Sequence, residues 1–150
     1  MTLTAQLPEA LRGVRLDGRN ALVAGAGRGI GLAAAIGLAQ AGAEVYLASR
    51  TPAELERAAD SIRSAGGRAH PLVFDVTDTG AMQAAVARIP NLDILINNAG
   101  VGVFAGVAAM TPEQWATVID TNLTGVFNCC HAALPHLRAR GGGCIISNRT

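Results

Sequence analysis

At 150 residues the chain suits a single domain, one large enough to bury about two thirds of the surface its unfolded form exposes. Half of it is hydrophobic, 15% is charged and 3% aromatic, so its core must be built from Ala, Val, Leu and Ile, a composition that suits helices packed closely on a sheet. Twelve basic against eleven acidic residues give a formal net charge of +1 without a basic run, which argues against nucleic acid or an anionic membrane as partner and leaves a small molecule as the expected one.

Residues 1–18 read as an irregular lead with a short helix near Pro8 to Leu11. Glu9 and Arg12 stand where a leader would carry a basic segment and an apolar core, and no apolar run reaches the ~20 residues of a membrane span, so a cytoplasmic location is expected. The apolar run Asn20 to Ala24 reads as a buried strand. After a Gly-rich turn, Ile30 to Ala41 is apolar almost all round, as for a helix wedged between a sheet and other elements, and Gly42 is its stop. Ala43 to Ser49 is the second strand, and Thr51 with Pro52 forms an N-cap and first-turn pair for a helix to about Ala65. A third strand at Ala69 to Phe74, a helix from about Asp78 to Ile89 and a fourth strand at Leu92 to Ile96 repeat the alternation. Thr111 and Pro112 open the longest helix, which reaches about Arg138, and Gly141 to Gly143 lead into a fifth strand, Cys144 to Ser147. Strands alternating with helices of this length specify right-handed βαβ crossovers and a parallel sheet covered on both faces.

The turn Ala24 to Gly31 places glycines at 25, 29 and 31 between the first strand and first helix. A dinucleotide site uses such glycines for a tight turn, for backbone approaching the pyrophosphate and for close helix-to-strand packing, with the helix N-terminus facing the phosphates. Taken alone, the turn also fits a plain connection. Asn97 to Gly100 (NNAG) follows the fourth strand, where paired Asn and Gly serve equally as turn residues. Cysteines 129, 130 and 144 lack metal-ligand spacing and read as buried free thiols. No metal site is expected.

With both motifs in these places the sequence resembles the short-chain dehydrogenase/reductase family, from about Leu16 to Ile146, and especially its oxoacyl-thioester reductase members. The glycine spacing is similar to the family's T-G-x-x-x-G-x-G, with Ala24 at the Thr position. The resemblance implies cofactor contacts from Gly25, Arg28, Gly29, Ile30, Gly31, Ser49, Arg50, Asp75, Val76, Asn97, Ala99 and Gly100, with Asp75 and Val76 on the adenine. At the end of the second strand an acidic residue would select NAD and a basic one NADP. Ser49 and Arg50 stand there, with Arg28 in the glycine loop able to converge on the same 2′-phosphate, so NADP(H) is expected over NAD(H).

Asn122 matches the Asn of the family's catalytic tetrad. It is expected to be buried on a helix face shared with Trp115, Val118, Ile119, Val126 and Phe127, where it equally suits a structural tie. The fold implied is α/β, a Rossmann-like doubly wound parallel sheet in the order 3-2-1-4-5, truncated after strand five. The function implied is oxidation or reduction of a small alcohol or carbonyl by NADP(H), in a homo-oligomer or self-associating chain.

The family's catalytic Ser follows strand five, and a Tyr-x-x-x-Lys motif comes about a dozen residues later. Thr150 falls near the Ser position, with Ser147 three residues earlier. All twelve basic residues are Arg, so the chain has no Lys, and its single Tyr is Tyr46 in the second strand. Tyr46 and Arg50 would stand ~13 Å apart in an extended chain and cannot form that helical pair. His70, His131 and His136 read as routine surface or core residues. The sequence therefore leaves open a cofactor-binding chain without catalysis, as a pseudoenzyme or a truncated gene product. An S-adenosylmethionine-dependent methyltransferase would want an acidic residue at the tip of strand two, and would leave NNAG unexplained.

Overall fold

Five parallel strands form the centre of the molecule, in a computed structural model that describes residues 13–148. In chain order the elements are β1 (Asn20–Ala24), α1 (Gly29–Gln40), β2 (Glu44–Ser49), α2 (Pro52–Ser64), β3 (Arg68–Val73), α3 (Thr79–Val86), β4 (Leu92–Asn97), α4 (Pro112–Ile119), a π-helical turn (Asp120–Thr124), α5 (Gly125–Ala139) and β5 (Cys144–Ser147). Every pairing is parallel and the sheet order is β3-β2-β1-β4-β5, as expected. The short helix read near Pro8 to Leu11 and the candidate Thr150 lie outside the described residues.

The central strands β1, β2 and β4 are near-continuous apolar runs because both faces of the sheet are covered there, whereas β3 alternates between buried and exposed residues and β5 is exposed along its length. Successive side chains alternate between two cores. Ala21, Val23, Val45 and Leu47 pack with Leu55, Ala58, Ala59 and Ile62 of α2 on one face. Leu22, Tyr46, Leu72 and Leu95 pack with Met82 and Val86 of α3 and Cys129, Ala133 and Leu137 of α5 on the other. The buried positions of α2 fall at helical spacing. That helix ends at Gly66, whose φ of +85° permits a closing pair of bonds, Gly66 N–H to the Arg63 carbonyl at 2.9 Å and Gly67 N–H to that of Ile62 at 3.0 Å.

Several local expectations change. Thr51 holds the N-cap position of α2, but its hydroxyl makes no capping bond; its N–H donates to Ser49 Oγ at 3.2 Å. Helix α1 buries fully only Gly31 and Ala35, with Leu32, Ala34, Ile36, Leu38 and Ala39 half-buried against the same core. Helix α3 stops at Val86, and Ile89 is buried from the turn that follows. Cys129 is buried, Cys130 half-buried and Cys144 exposed, so the three thiols do not share one environment.

The longest helix departs most from expectation. Its apolar stripe does not face the sheet: Trp115 is 59% and Phe127 65% exposed. The sheet side of α5 instead carries Gly125, Asn128, Cys129, Ala132, Ala133 and Leu137. Small residues are required there because the helix lies close; a Cβ at Gly125 would sit 2.6 Å from Val76 Cγ2. The turn at Asp120–Thr124 interrupts the helix within the segment that carries Asn122.

At the amino ends of the strands, Asp93 of β4 is 3% exposed. Its Oδ1 accepts from Arg19 at 2.9 Å and from Arg140 at 3.3 Å, and its Oδ2 accepts from the Asn20 N–H at 2.9 Å. One carboxylate thus ties the start of β1 to β4 and to the end of α5.

Candidate functional site

At the opposite, carboxyl end of the sheet lies an open cleft of about 360 Å³, bounded by the loops after β1 to β4 and by Thr121. Ligand sites of open α/β sheets lie at this end. The glycine turn after β1 forms its floor, pinned to β2 by the Gly25 and Ala26 N–H groups on the Ala48 carbonyl at 2.8 and 3.0 Å.

The three motif glycines divide the work. Gly25 has φ +78°, and a Cβ there would lie 2.7 Å from Ala99 Cα, so it makes the tight turn. A Cβ at Gly31 would run into the Gly25 carbonyl oxygen and lie 2.6 Å from Asn98 Nδ2, so it closes the helix onto the loop. Gly29 has φ +59° but meets nothing within 4 Å. Its missing side chain leaves a cradle of bare backbone at the start of α1, in the wall of the cleft. The first N–H groups of a helix lack intrahelical partners, and here Arg28 makes no capping bond and no acidic residue occupies the first turn, which leaves those donors to an anion.

Arg28, Ile30, Ser49, Arg50, Asp75 and Val76 also line the cleft. Arg50 reaches across to Asp75, Nη1 to Oδ2 at 3.6 Å, while Asp75 Oδ1 accepts from the Thr77 N–H at 2.9 Å and hydroxyl at 2.8 Å. Partial burial works to raise the Asp75 pKa, but the Thr77 donors and the Arg50 charge outweigh it and hold the carboxyl below its ordinary range. It is therefore an ionised acceptor at neutral pH.

The two asparagines of NNAG point to different places. Asn98 belongs to the cleft: its N–H donates to the Ala24 carbonyl, its Nδ2 to the Gly25 carbonyl, both at 3.1 Å, and its Oδ1 accepts from Asn148 Nδ2 at 3.0 Å. Asn97 turns away from the main cleft, donating from Nδ2 to Ser147 Oγ at 3.2 Å and Cys130 Sγ at 3.4 Å. Its buried Oδ1 has no partner among the described residues. The residue that braces the glycine loop is thus Asn98, which the sequence reading did not single out; Ala99 and Gly100 do line the cleft. Glu54, Phe74, Val101 and Thr121 are further lining residues without a sequence signal of their own.

Asn122 is half-buried and grips the loop beyond NNAG at both ends of one residue. Its Oδ1 accepts from the Val101 N–H at 2.8 Å and its Nδ2 donates to the Val101 carbonyl at 2.9 Å. Tyr46 is 6% exposed and stacked on His70, ring centroids 4.9 Å apart, and does not line the cleft. Burial, and after it Glu44, raises its pKa. His70 binds Glu44 through Nε2 at 2.6 Å, and His131 stacks on Phe127. Burial pushes the Cys129 thiol up to about 12, an unreactive value. Among the described residues no three or more His, Cys, Asp or Glu gather as a metal site, and no helix is long and apolar enough to cross a membrane.

Residues 19–148 match the short chain dehydrogenase family. The chain is 41% identical over 136 residues to gluconate 5-dehydrogenase of Gluconobacter oxydans, covering 88% of this chain and 53% of that protein. It is 32% identical over 138 residues to a 3-oxoacyl-acyl-carrier-protein reductase of Thermotoga maritima, covering 89% and 56%. Among solved structures, a gluconate 5-dehydrogenase from Burkholderia cenocepacia in complex with NADP and tartrate superposes with TM-score 0.85 at 43% identity, covering 92% of this chain and 56% of that one. A 3-oxoacyl-acyl-carrier-protein reductase with bound NAD from Brucella melitensis gives 0.85 at 36%, covering 98% and 59%. The chain spans about half the length of these relatives. With the parallel sheet, the glycine turn and the matched span in agreement, the chain belongs to the short-chain dehydrogenase family.

Proposed function

We propose that the chain forms the cofactor half of an oxidoreductase that uses NADP(H), in preference to NAD(H), on the alcohol or carbonyl of a small molecule. The observation that carries this reading is the bare backbone cradle at Gly29, opening onto the α1 N-terminus with Arg28 and Arg50 in the same cleft. The residues fit such a cofactor. Gly29 leaves room for a pyrophosphate and the α1 N–H groups donate to it. Arg28 and Arg50 offer guanidinium donors to a 2′-phosphate. The Asp75 carboxylate accepts from the adenine amine, and the Val76 backbone borders the ring. When bound, the nicotinamide supplies or accepts the hydride. Asn122 holds the Val101 loop in place. Relatives named for gluconate and for oxoacyl thioesters support an alcohol or carbonyl substrate.

A second reading is favoured by one specific observation: the chain has no Lys, and its single Tyr, Tyr46, is walled into β2. On that reading the 150-residue chain binds the cofactor without turnover, because hydride transfer to a carbonyl loses the ~10²–10⁴-fold contribution of a positioned acid. Calorimetry with NADP⁺ and NAD⁺, followed by NADPH consumption against ketones, aldehydes and oxoacyl thioesters, tests both. Tighter NADP⁺ binding that Arg50→Ala reduces supports the cofactor reading. Equal affinities, or an Arg50→Ala variant with unchanged NADP⁺ affinity, would defeat it. Ordinary turnover by the chain alone would defeat the second reading.

A further inference from the structure

The cleft carries a carboxylate that the end of β2 does not announce. Helix α2 opens at Pro52, which places Glu54 in its first turn, and the side chain lies back over the glycine loop. A Cβ at Gly27 would sit 3.0 Å from Glu54 Oε2, 3.2 Å from Glu54 Cβ and 3.3 Å from Ser49 Oγ. The carboxylate therefore rests in the space that the missing Gly27 side chain leaves, beside Ser49 and in the same wall as Arg28 and Arg50. Among the described residues the Glu54 carboxylate has no hydrogen-bond or ion-pair partner, while Arg50 pairs with Asp75 instead. An acid in the first turn of a helix is favoured by the helix dipole whatever its other role. Its packing over Gly27 is what brings it into the wall of the cleft.

Building on the cofactor reading above, we propose that Glu54 is a specificity-determining residue: its carboxylate accepts from the ribose 2′-hydroxyl of NAD(H) and repels the 2′-phosphate of NADP(H). Arg28 and Arg50 thus favour one cofactor while Glu54 favours the other, and the preference for NADP(H) is held below what two guanidiniums alone would give. A hydroxyl can donate to a carboxylate, and a phosphate dianion cannot. The charges here are partly exposed, so their repulsion is of the magnitude found near water and is screened by salt.

The test is the ratio of NADP⁺ to NAD⁺ affinity, measured by calorimetry on the purified protein and on its Glu54→Gln and Glu54→Ala variants at low and high salt. The ratio is expected to rise about fivefold or more in both variants at low salt, with the rise shrinking at high salt. A ratio that stays within twofold of the parent protein's, or affinities for both cofactors that move together, overturns the inference. Where one variant fails to fold, the other decides. Failure of the parent protein to bind either dinucleotide overturns the cofactor reading and this inference with it. Tighter binding of NAD⁺ by the parent removes the NADP preference alone and leaves the Glu54 ratio to decide its own case.

Discussion

Asp93→Asn preserves the shape of the tie beneath the sheet and removes its charge. The carboxylate serves three donors, Arg19, Arg140 and the Asn20 N–H, from a side chain 4% exposed. An amide offers one acceptor oxygen and turns a donating NH₂ toward the rest. Hydrogen bonds to charged groups contribute about 1.5–3 kcal/mol when sheltered. The Arg19 and Arg140 side chains are 55% and 36% exposed, so each recovers water on losing its partner. These two contacts belong near the surface-pair range of about 0–1 kcal/mol each. The amide oxygen can keep the part-buried Asn20 N–H as a neutral bond, at a cost of about 1 kcal/mol, and with the two arginine contacts the sum is about 1–3 kcal/mol. At roughly 2.1 cal/mol/K of unfolding entropy per residue, that lowers Tm by about 3–10 °C. The loss depends on pH. Burial alone would raise the Asp93 pKa, but the Asn20 N–H, Arg19 and Arg140 outweigh it and hold the carboxyl below its ordinary range. A group lowered in the folded state contributes stability that is complete above its unfolded pKa of about 3.9 and is lost as pH falls through the lower folded value. Thermal melts followed by circular dichroism should therefore separate the two proteins at neutral pH, with the gap beginning to shrink below about pH 4 and closing as pH falls through the lowered folded value. Equal melting temperatures at neutral pH, or a gap that persists undiminished in acid, would refute the reasoning.

The glycine loop separates binding from folding. Gly29→Val should fold with a loss of about 1–2 kcal/mol from its positive φ and bind neither dinucleotide, whereas Gly31→Ala should fail to fold because its Cβ meets the Gly25 backbone. Calorimetry and melting on both variants decide, and a Gly31→Ala protein with parental Tm would sink the packing argument. Asn122→Ala removes both side-chain bonds to Val101, so limited proteolysis should cut the loop after NNAG several-fold faster; an unchanged rate would show the grip to be idle. Trp115, Leu123 and Phe127 expose large apolar side chains along one helix, which is expected to drive concentration-dependent self-association. Light scattering should show Phe127→Glu reducing it, and a monomer at every concentration would contradict the expectation.

The central strands were legible because a sheet buried on both faces writes them as apolar runs, and the glycine turn because its spacing answers to backbone geometry. Periodicity shows which residues of the long helix share a stripe, but it does not say which stripe meets the sheet. There the close approach of α5 selects small residues and leaves Trp115 and Phe127 outside. Which of Asn97 and Asn98 enters the cleft depends on where β4 ends and hence on side-chain parity, which two adjacent asparagines cannot reveal. Glu54 looks like an ordinary first-turn acid until the β2 to α2 turn folds it onto Gly27. Asp93 is a polar residue inside an apolar run, and its Arg19 and Asn20 partners lie more than seventy residues away in sequence.

The π turn bears on insertions and deletions. An i→i+5 turn winds about one more residue into a circuit than an i→i+4 turn, so the flanking stretches keep the phase they would have without the extra residue. Deleting one residue from 120–124 would therefore leave a continuous α-helix whose α5 half keeps its seat on β4 and α3, while the wide turn that aims Asn122 at Val101 disappears. A one-residue gap in this stretch would cost the protein little stability and would release the loop beside the cleft. One residue of the helix's length belongs to the site, and the rest to the fold.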